Sequence, residues 1–84
     1  MITKIQKRDG RIVTFNIEKI ANAIYKAAES MGGSDYDEAL EIAGRVCDYI
    51  ESSEKNKIPS VEEIQDAVEK ILIEEGHAST AKAY

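Results

Sequence analysis

The spacing of apolar and polar positions divides the chain into a short extended part and a long helical part. Residues 2 to 15 are rich in β-forming side chains, Ile2, Thr3, Ile5, Ile12, Val13, Thr14 and Phe15, and are interrupted by Asp9-Gly10, a favoured hairpin dipeptide. Two short strands are predicted. With Asp9 and Gly10 as a two-residue loop, Arg8 faces Arg11, Lys7 faces Ile12, Gln6 faces Val13, Ile5 faces Thr14 and Lys4 faces Phe15. Neither face of that hairpin is purely apolar, and Arg8 against Arg11 is repulsive unless a carboxylate or a bound anion lies between them.

From Asn16, a natural N-cap, the period becomes helical. Ile17, Ile20, Ala21, Ile24, Ala27 or Ala28, and Met31 share one stripe, which Gly32-Gly33 ends. A second helix opens at Ser34 or Asp35, each with a carboxylate three residues on, Asp37 or Glu38. Its stripe runs through Tyr36, Leu40, Ala43, Val46 or Cys47, and Ile50. The stretch Ser52-Ser53-Glu54-Lys55-Asn56-Lys57 has no apolar residue and reads as an exposed loop. Pro59 then precedes Ser60-Val61-Glu62-Glu63, a capping box that starts a third helix burying Val61, Ile64, Val68, Ile71 and Leu72 and closing at Gly76. Ala78 to Tyr84 forms about two further turns, which need packing to be stable. The expected class is α+β, mostly α: an N-terminal hairpin followed by four helices, the last cut short, in a fragment of a longer polypeptide.

Composition narrows the setting. At 84 residues the chain is one domain with one core. Its single cysteine, Cys47, excludes an intrachain disulfide, and no Cys/His cluster has zinc-site spacing. With no long apolar run and no signal-like start, a reducing, cytoplasmic location is expected, away from membranes. The net charge of −5 is unevenly spread: residues 1 to 15 hold Lys4, Lys7, Arg8 and Arg11 against Asp9, whereas residues 16 to 84 hold 7 positive and 15 negative side chains. A basic end on an acidic body can receive a compact anion while repelling polyanions. Charge alone favours the plainer reading, a solvated hairpin tip.

No nucleophile and base pair can be placed. The only histidine, His77, follows the Gly76 stop and reads as a helix-start or packing residue. Cys47 lies on an apolar stripe, where either a buried inert thiol or a reactive one would fit. Glu62-Glu63 and Glu74-Glu75 sit at helix ends, where solvated charge is ordinary. No catalytic residue and no metal ligand is therefore expected. What remains is an anion site assembled from Lys7, Arg8, the helix start at Asn16, and Lys19. A lysine in the first helical turn opposes the helix dipole, and gains a reason if it faces a phosphate.

The order of residues adds a resemblance. Lys7-Arg8-Asp9-Gly10-Arg11-Ile12-Val13, then Phe15-Asn16, Lys19-Ile20, Ala23-Ile24 and Lys26-Ala27, closely resembles the opening of the ATP-cone family. Val61-Glu62-Glu63-Ile64-Gln65-Asp66, then Val68-Glu69, Gly76-His77 and Ala81-Lys82-Ala83-Tyr84, resembles its closing half. The resemblance covers nearly the whole chain and looks most like the N-terminus of an anaerobic ribonucleoside-triphosphate reductase. It implies a hairpin capping a small four-helix bundle, and a non-catalytic module that binds ATP or dATP and regulates a ribonucleotide reductase whose catalytic body follows in the same chain. It also implies subunit assembly through the domain, as a homo-oligomer, with magnesium as companion of the triphosphate.

Carried across by the resemblance, Lys7, Arg8 and Lys19 approach the phosphates. Val13, Thr14, Phe15 and Asn16 form the second strand and the edge of the pocket, while Val61 and Gln65 lie on the base or ribose side. A nucleotide-responsive repressor of reductase genes uses the same module behind a zinc ribbon. The motif's nearness to Met1 makes the reductase the expected context. A nucleic-acid-binding hairpin is opposed by the acidic remainder and by the lack of aromatic stacking residues on the strands. A bundle that only docks partners is the remaining alternative.

Overall fold

A computed structural model describes residues 3–33, 35–53 and 58–84. Strands β1 (Lys4–Gln6) and β2 (Ile12–Thr14) pair antiparallel and precede helices α1 (Ile17–Ser30), α2 (Tyr36–Ser53), α3 (Val61–Glu74) and α4 (Ala78–Ala83). Helix α1 packs on α2 and α4, and α3 packs on the same two, so the helices close into a four-membered bundle. The expected class, a hairpin with four helices, is the one observed.

Each helix start follows from its polar residues. The Asn16 side-chain oxygen accepts from the Glu18 N–H, and the Asp35 side-chain oxygen accepts from the Glu38 N–H at 3.0 Å. Asp35 thus performs the cap; Ser34 lies outside the described residues. At α3 the box is complete: Ser60 Oγ accepts from the Glu63 N–H at 3.1 Å, and Glu63 Oε1 accepts from the Ser60 N–H at 3.4 Å. Ser60→Ala is expected to lower stability by about 1 kcal/mol, which for a domain of this size moves the melting midpoint down by roughly 4–8 °C in circular dichroism. At the other end of α3, Gly76 adopts φ +84°. The Gly76 N–H donates to the Ile73 carbonyl at 3.1 Å and the His77 N–H to the Leu72 carbonyl at 2.7 Å, a Schellman closure that a side chain at position 76 would strain.

The core joins Ile20, Ala21 and Ile24 of α1, Ala39, Ile42, Ala43, Val46 and Ile50 of α2, and Ile64, Ala67, Val68, Ile71 and Leu72 of α3. Three expected positions differ. Met31 is 56% exposed, because α1 has already ended at Ser30 and Met31 is its C-cap. Leu40 is 38% exposed: α2 is rotated so that Ala39 and Ile42 point inward, one step from the stripe expected. Val61 is half-buried at the first position of α3, and Ala67 takes a core place. Ser52 and Ser53 belong to α2 and not to a loop; the Ser52 hydroxyl donates back to the Tyr49 carbonyl at 2.9 Å while Ile50 anchors the last turns. The rest of the expected loop, residues 54–57, lies outside the described residues.

The hairpin register also differs. Lys4 pairs with Thr14, Ile5 with Val13 and Gln6 with Ile12. The Lys7 N–H donates to the Arg11 carbonyl at 2.8 Å and the Gly10 N–H to the Lys7 carbonyl at 2.9 Å, so the loop is three residues, Arg8-Asp9-Gly10, with Gly10 at φ +91°. A shift of one position changes which side chains share a face. Ile5 and Val13 now stand together, half-buried, and Phe15 joins them against the core, while Lys4, Gln6, Ile12 and Thr14 are exposed. Arg8 no longer opposes Arg11. Instead Asp9 accepts from both the Arg11 N–H and Arg11 Nε, at 3.0 and 2.7 Å, and the repulsion that hinted at an anion is absent.

Candidate functional site

Antiparallel pairing turns the Gln6 N–H away from β2, and it donates to the carbonyl of the buried Pro59 at 2.9 Å. A parallel bridge between Gln6 and Ser60 extends this contact. The hairpin therefore leans on the start of α3, while β2 runs through Asn16 directly into the start of α1. Between these elements lies a cavity of about 210 Å³. The hairpin supplies Ile5, Lys7, Val13, Thr14 and Phe15, and α1 supplies Asn16 before its first residue, with Lys19 and Ile20 from its first turn. Val61, Ile64 and Gln65 come from the first turns of α3, and Tyr84 from the end of α4.

Lys7, Val13, Thr14, Phe15, Asn16, Lys19, Val61 and Gln65, separated by as many as 58 positions in sequence, are thus brought to one place. Arg8 is the exception among the expected site residues. Its Nε donates to Glu62 Oε1 at 2.9 Å and its Nη2 lies 3.5 Å from Gln65 Oε1, so it stands beside the cavity, on α3. Sequence reasoning missed Ile5, Ile20, Ile64 and Tyr84 as lining residues. The isoleucines were legible only as core, and they are core on their inner side; Tyr84 lies in the Ala-Lys-Ala-Tyr stretch, where the signal for it was present.

The site's charge is arranged around an apolar interior. Among the described residues neither Lys7 nor Lys19 has an ion-pair partner within 4 Å. Asp9 at the hairpin tip is held below the usual carboxylate range, first by the hydrogen bond from the Arg11 backbone N–H, then by the Arg11 side chain, with a smaller effect from Lys7. Burial pushes the Tyr84 phenol upward. Such sites that enclose a whole drug-sized ligand measure about 300–1,000 Å³. At about 210 Å³ this cavity is smaller than those, and its lining is mostly apolar with Lys7 and Lys19 among the lining residues.

A larger depression of about 420 Å³ lies on the far side of Phe15 and Asn16, lined also by Ile17, Gly44, Cys47, Asp48 and Glu51. Its chemistry does not suit an anion. The Cys47 thiol there is raised in pKa, first by burial and then by the negative charges of Glu51 and Asp48. A raised thiol pKa favours the inert of the two readings of Cys47. His77 precedes α4 without capping it, its Nε2 3.5 Å from Glu38 Oε1, a packing position at a helix start.

Two basic side chains and a largely apolar lining, shared by a hairpin and three helix ends, make up the site. The family model described as the ATP cone domain matches residues 3–84. The chain belongs to the ATP-cone family. This ATP-cone domain is 42% identical to a vitamin B12-dependent ribonucleoside-diphosphate reductase of Thermoplasma acidophilum over 73 residues, 87% of the chain and 9% of the reductase. The enzyme of that name in Mycobacterium tuberculosis is 36% identical over 81 residues, 96% of the chain and 11% of the reductase. An anaerobic ribonucleoside-triphosphate reductase of Escherichia coli is 33% identical over 84 residues, 100% of the chain and 11% of that protein. The ATP-cone domain spans about a tenth of the length of these curated relatives, and the likeness extends to reductases of both kinds. Among the described residues no helix is long and apolar enough to cross a membrane.

Proposed function

We propose that this ATP-cone domain is an allosteric sensor of ATP and dATP that regulates a ribonucleotide reductase of which it forms part, and that it performs no catalytic step itself. The observation that carries the reading is the cavity between hairpin, α1, α3 and α4, apolar within and flanked by Lys7 and Lys19. The adenine enters it against Ile5, Val13, Phe15 and Ile64, with Val61, Gln65 and Tyr84 beside the base and ribose. The triphosphate lies outside, across Lys7, Lys19 and the positive dipole end at the start of α1. Thr14 and Asn16 form the edge between the two. Magnesium accompanies the ligand, held chiefly by its phosphate oxygens and water.

Regulation requires two states of the domain that bind ATP and dATP unequally, because a ligand with equal affinity for both shifts neither. The two ligands differ by one ribose hydroxyl. The states then present different surfaces to the remaining reductase or to a second copy of the domain, in the cytoplasm. Calorimetric titration of the chain with ATP and with dATP is expected to give micromolar binding of each. Silence toward both nucleotides sinks the reading, and steeply salt-dependent binding of an oligonucleotide in their place would transfer the basic hairpin to nucleic acid.

A further inference from the structure

We propose that Glu62 is a built-in competitor of the ligand's phosphates, holding the Arg8 guanidinium that a bound nucleotide would otherwise recruit. The inference rests on the nucleotide-binding reading above. Arg8 is the one expected site residue outside the cavity, and the group that holds it is a carboxylate: Nε donates to Glu62 Oε1 at 2.9 Å. Its Nη2 lies 3.5 Å from Gln65 Oε1, and Gln65 does line the cavity. The guanidinium therefore stands at the mouth, one residue away from the ligand space, with its charge already matched.

Carboxylate and phosphate oxygens offer a guanidinium the same chemistry, paired anionic acceptors in a plane, so a phosphate that takes the Nε edge of Arg8 displaces Glu62. The two ends of the contact are fixed by separate devices. Glu62 is placed by the Ser60–Glu63 capping box around it, and the hairpin that carries Arg8 is placed by the Gln6 to Pro59 hydrogen bond. The ion pair itself is weakly held, because the Arg8 and Glu62 side chains are 71% and 54% exposed. Exchange of Glu62 for a phosphate is accordingly open to a multiply charged ligand and gives nothing to an uncharged one. Lys7 and Lys19, without ion pairs among the described residues, take up phosphate with no such exchange.

The test is a calorimetric titration of ATP, with adenosine as the uncharged control, into the chain, Glu62→Gln, Arg8→Ala and the double variant. Glu62→Gln is expected to bind ATP up to about fivefold more tightly, the range set by exposed ion pairs. Adenosine affinity should not move. In the Arg8→Ala background the gain from Glu62→Gln should vanish, since the carboxylate acts through Arg8. A gain of equal size in both backgrounds would mean plain repulsion of phosphate by a nearby charge, and would overturn the proposal. So would unchanged ATP affinity in Glu62→Gln, or an equal gain for adenosine. ATP binding by the unaltered chain with no response in Glu62→Gln removes the competition and leaves the nucleotide reading intact; silence of all four proteins removes both. The melting midpoint of each variant, expected within a few degrees of the unaltered chain, shows that folding is not what is being read.

Discussion

Lys7→Ala and Lys19→Ala are each expected to weaken ATP binding by about 1–3 kcal/mol, roughly 5- to 150-fold, the range of a hydrogen bond to a charged group. Both side chains line the mouth of the cavity and neither has an ion-pair partner among the described residues, so a phosphate would be their principal contact. The same exposure predicts that the ligand-free protein hardly notices. Lys19→Ala should even raise its melting midpoint slightly, because a cation in the first turn of α1 opposes the helix dipole. The signature is therefore a large loss of affinity with an unmoved or raised midpoint, read by calorimetry and circular dichroism on the same samples. Unaltered affinity in both variants would remove the phosphate grip from this face of the domain.

The helices and their ends were legible because their signals are local. Asn16, the Ser60–Glu63 box and Gly76 each act within four residues, and each does in the fold what its chemistry suggests. The hairpin register was less legible because Asp9-Gly10 suits two loops, one of two residues and one of three with Gly10 left-handed. A tertiary requirement decides between them. Only the longer loop puts Ile5, Val13 and Phe15 on one face, and that face is half-buried against the helices. The apolar pairing was in the sequence and could have selected the register over the turn dipeptide. The rotation of α2 that exposes Leu40 and buries Ala39 was beyond periodicity, since both stripes have helical spacing and packing against α1 and α3 chooses.

The candidate site divides the same way. The resemblance named residues on both halves of the chain, but nothing in the sequence says that the Gln6 N–H reaches Pro59 and so sets the hairpin against α3. Without that contact Val13 and Val61 are unrelated positions. Arg8 shows the converse: its residue type suggested a phosphate contact, and a glutamate 54 positions away holds it to one side.

The interior of the cavity is continuous with the core, and this separates stability from binding in a second experiment. Ile64 and Leu72 lie on α3 with 5% and 0% exposure, yet only Ile64 lines the cavity. Truncating a buried Leu or Ile to Ala costs about 2–5 kcal/mol, a large part of the roughly 4–13 kcal/mol expected for a domain of this length. At about 3 kcal/mol the melting midpoint falls by roughly 12–24 °C. Ile64→Ala and Leu72→Ala should share that loss. At a temperature where both remain folded, their ATP affinities should part: Leu72→Ala close to the unaltered chain, Ile64→Ala weaker, because the surface proposed to receive the base has lost its branched side chain. Equal affinities in the two folded variants would place the base elsewhere than against α3.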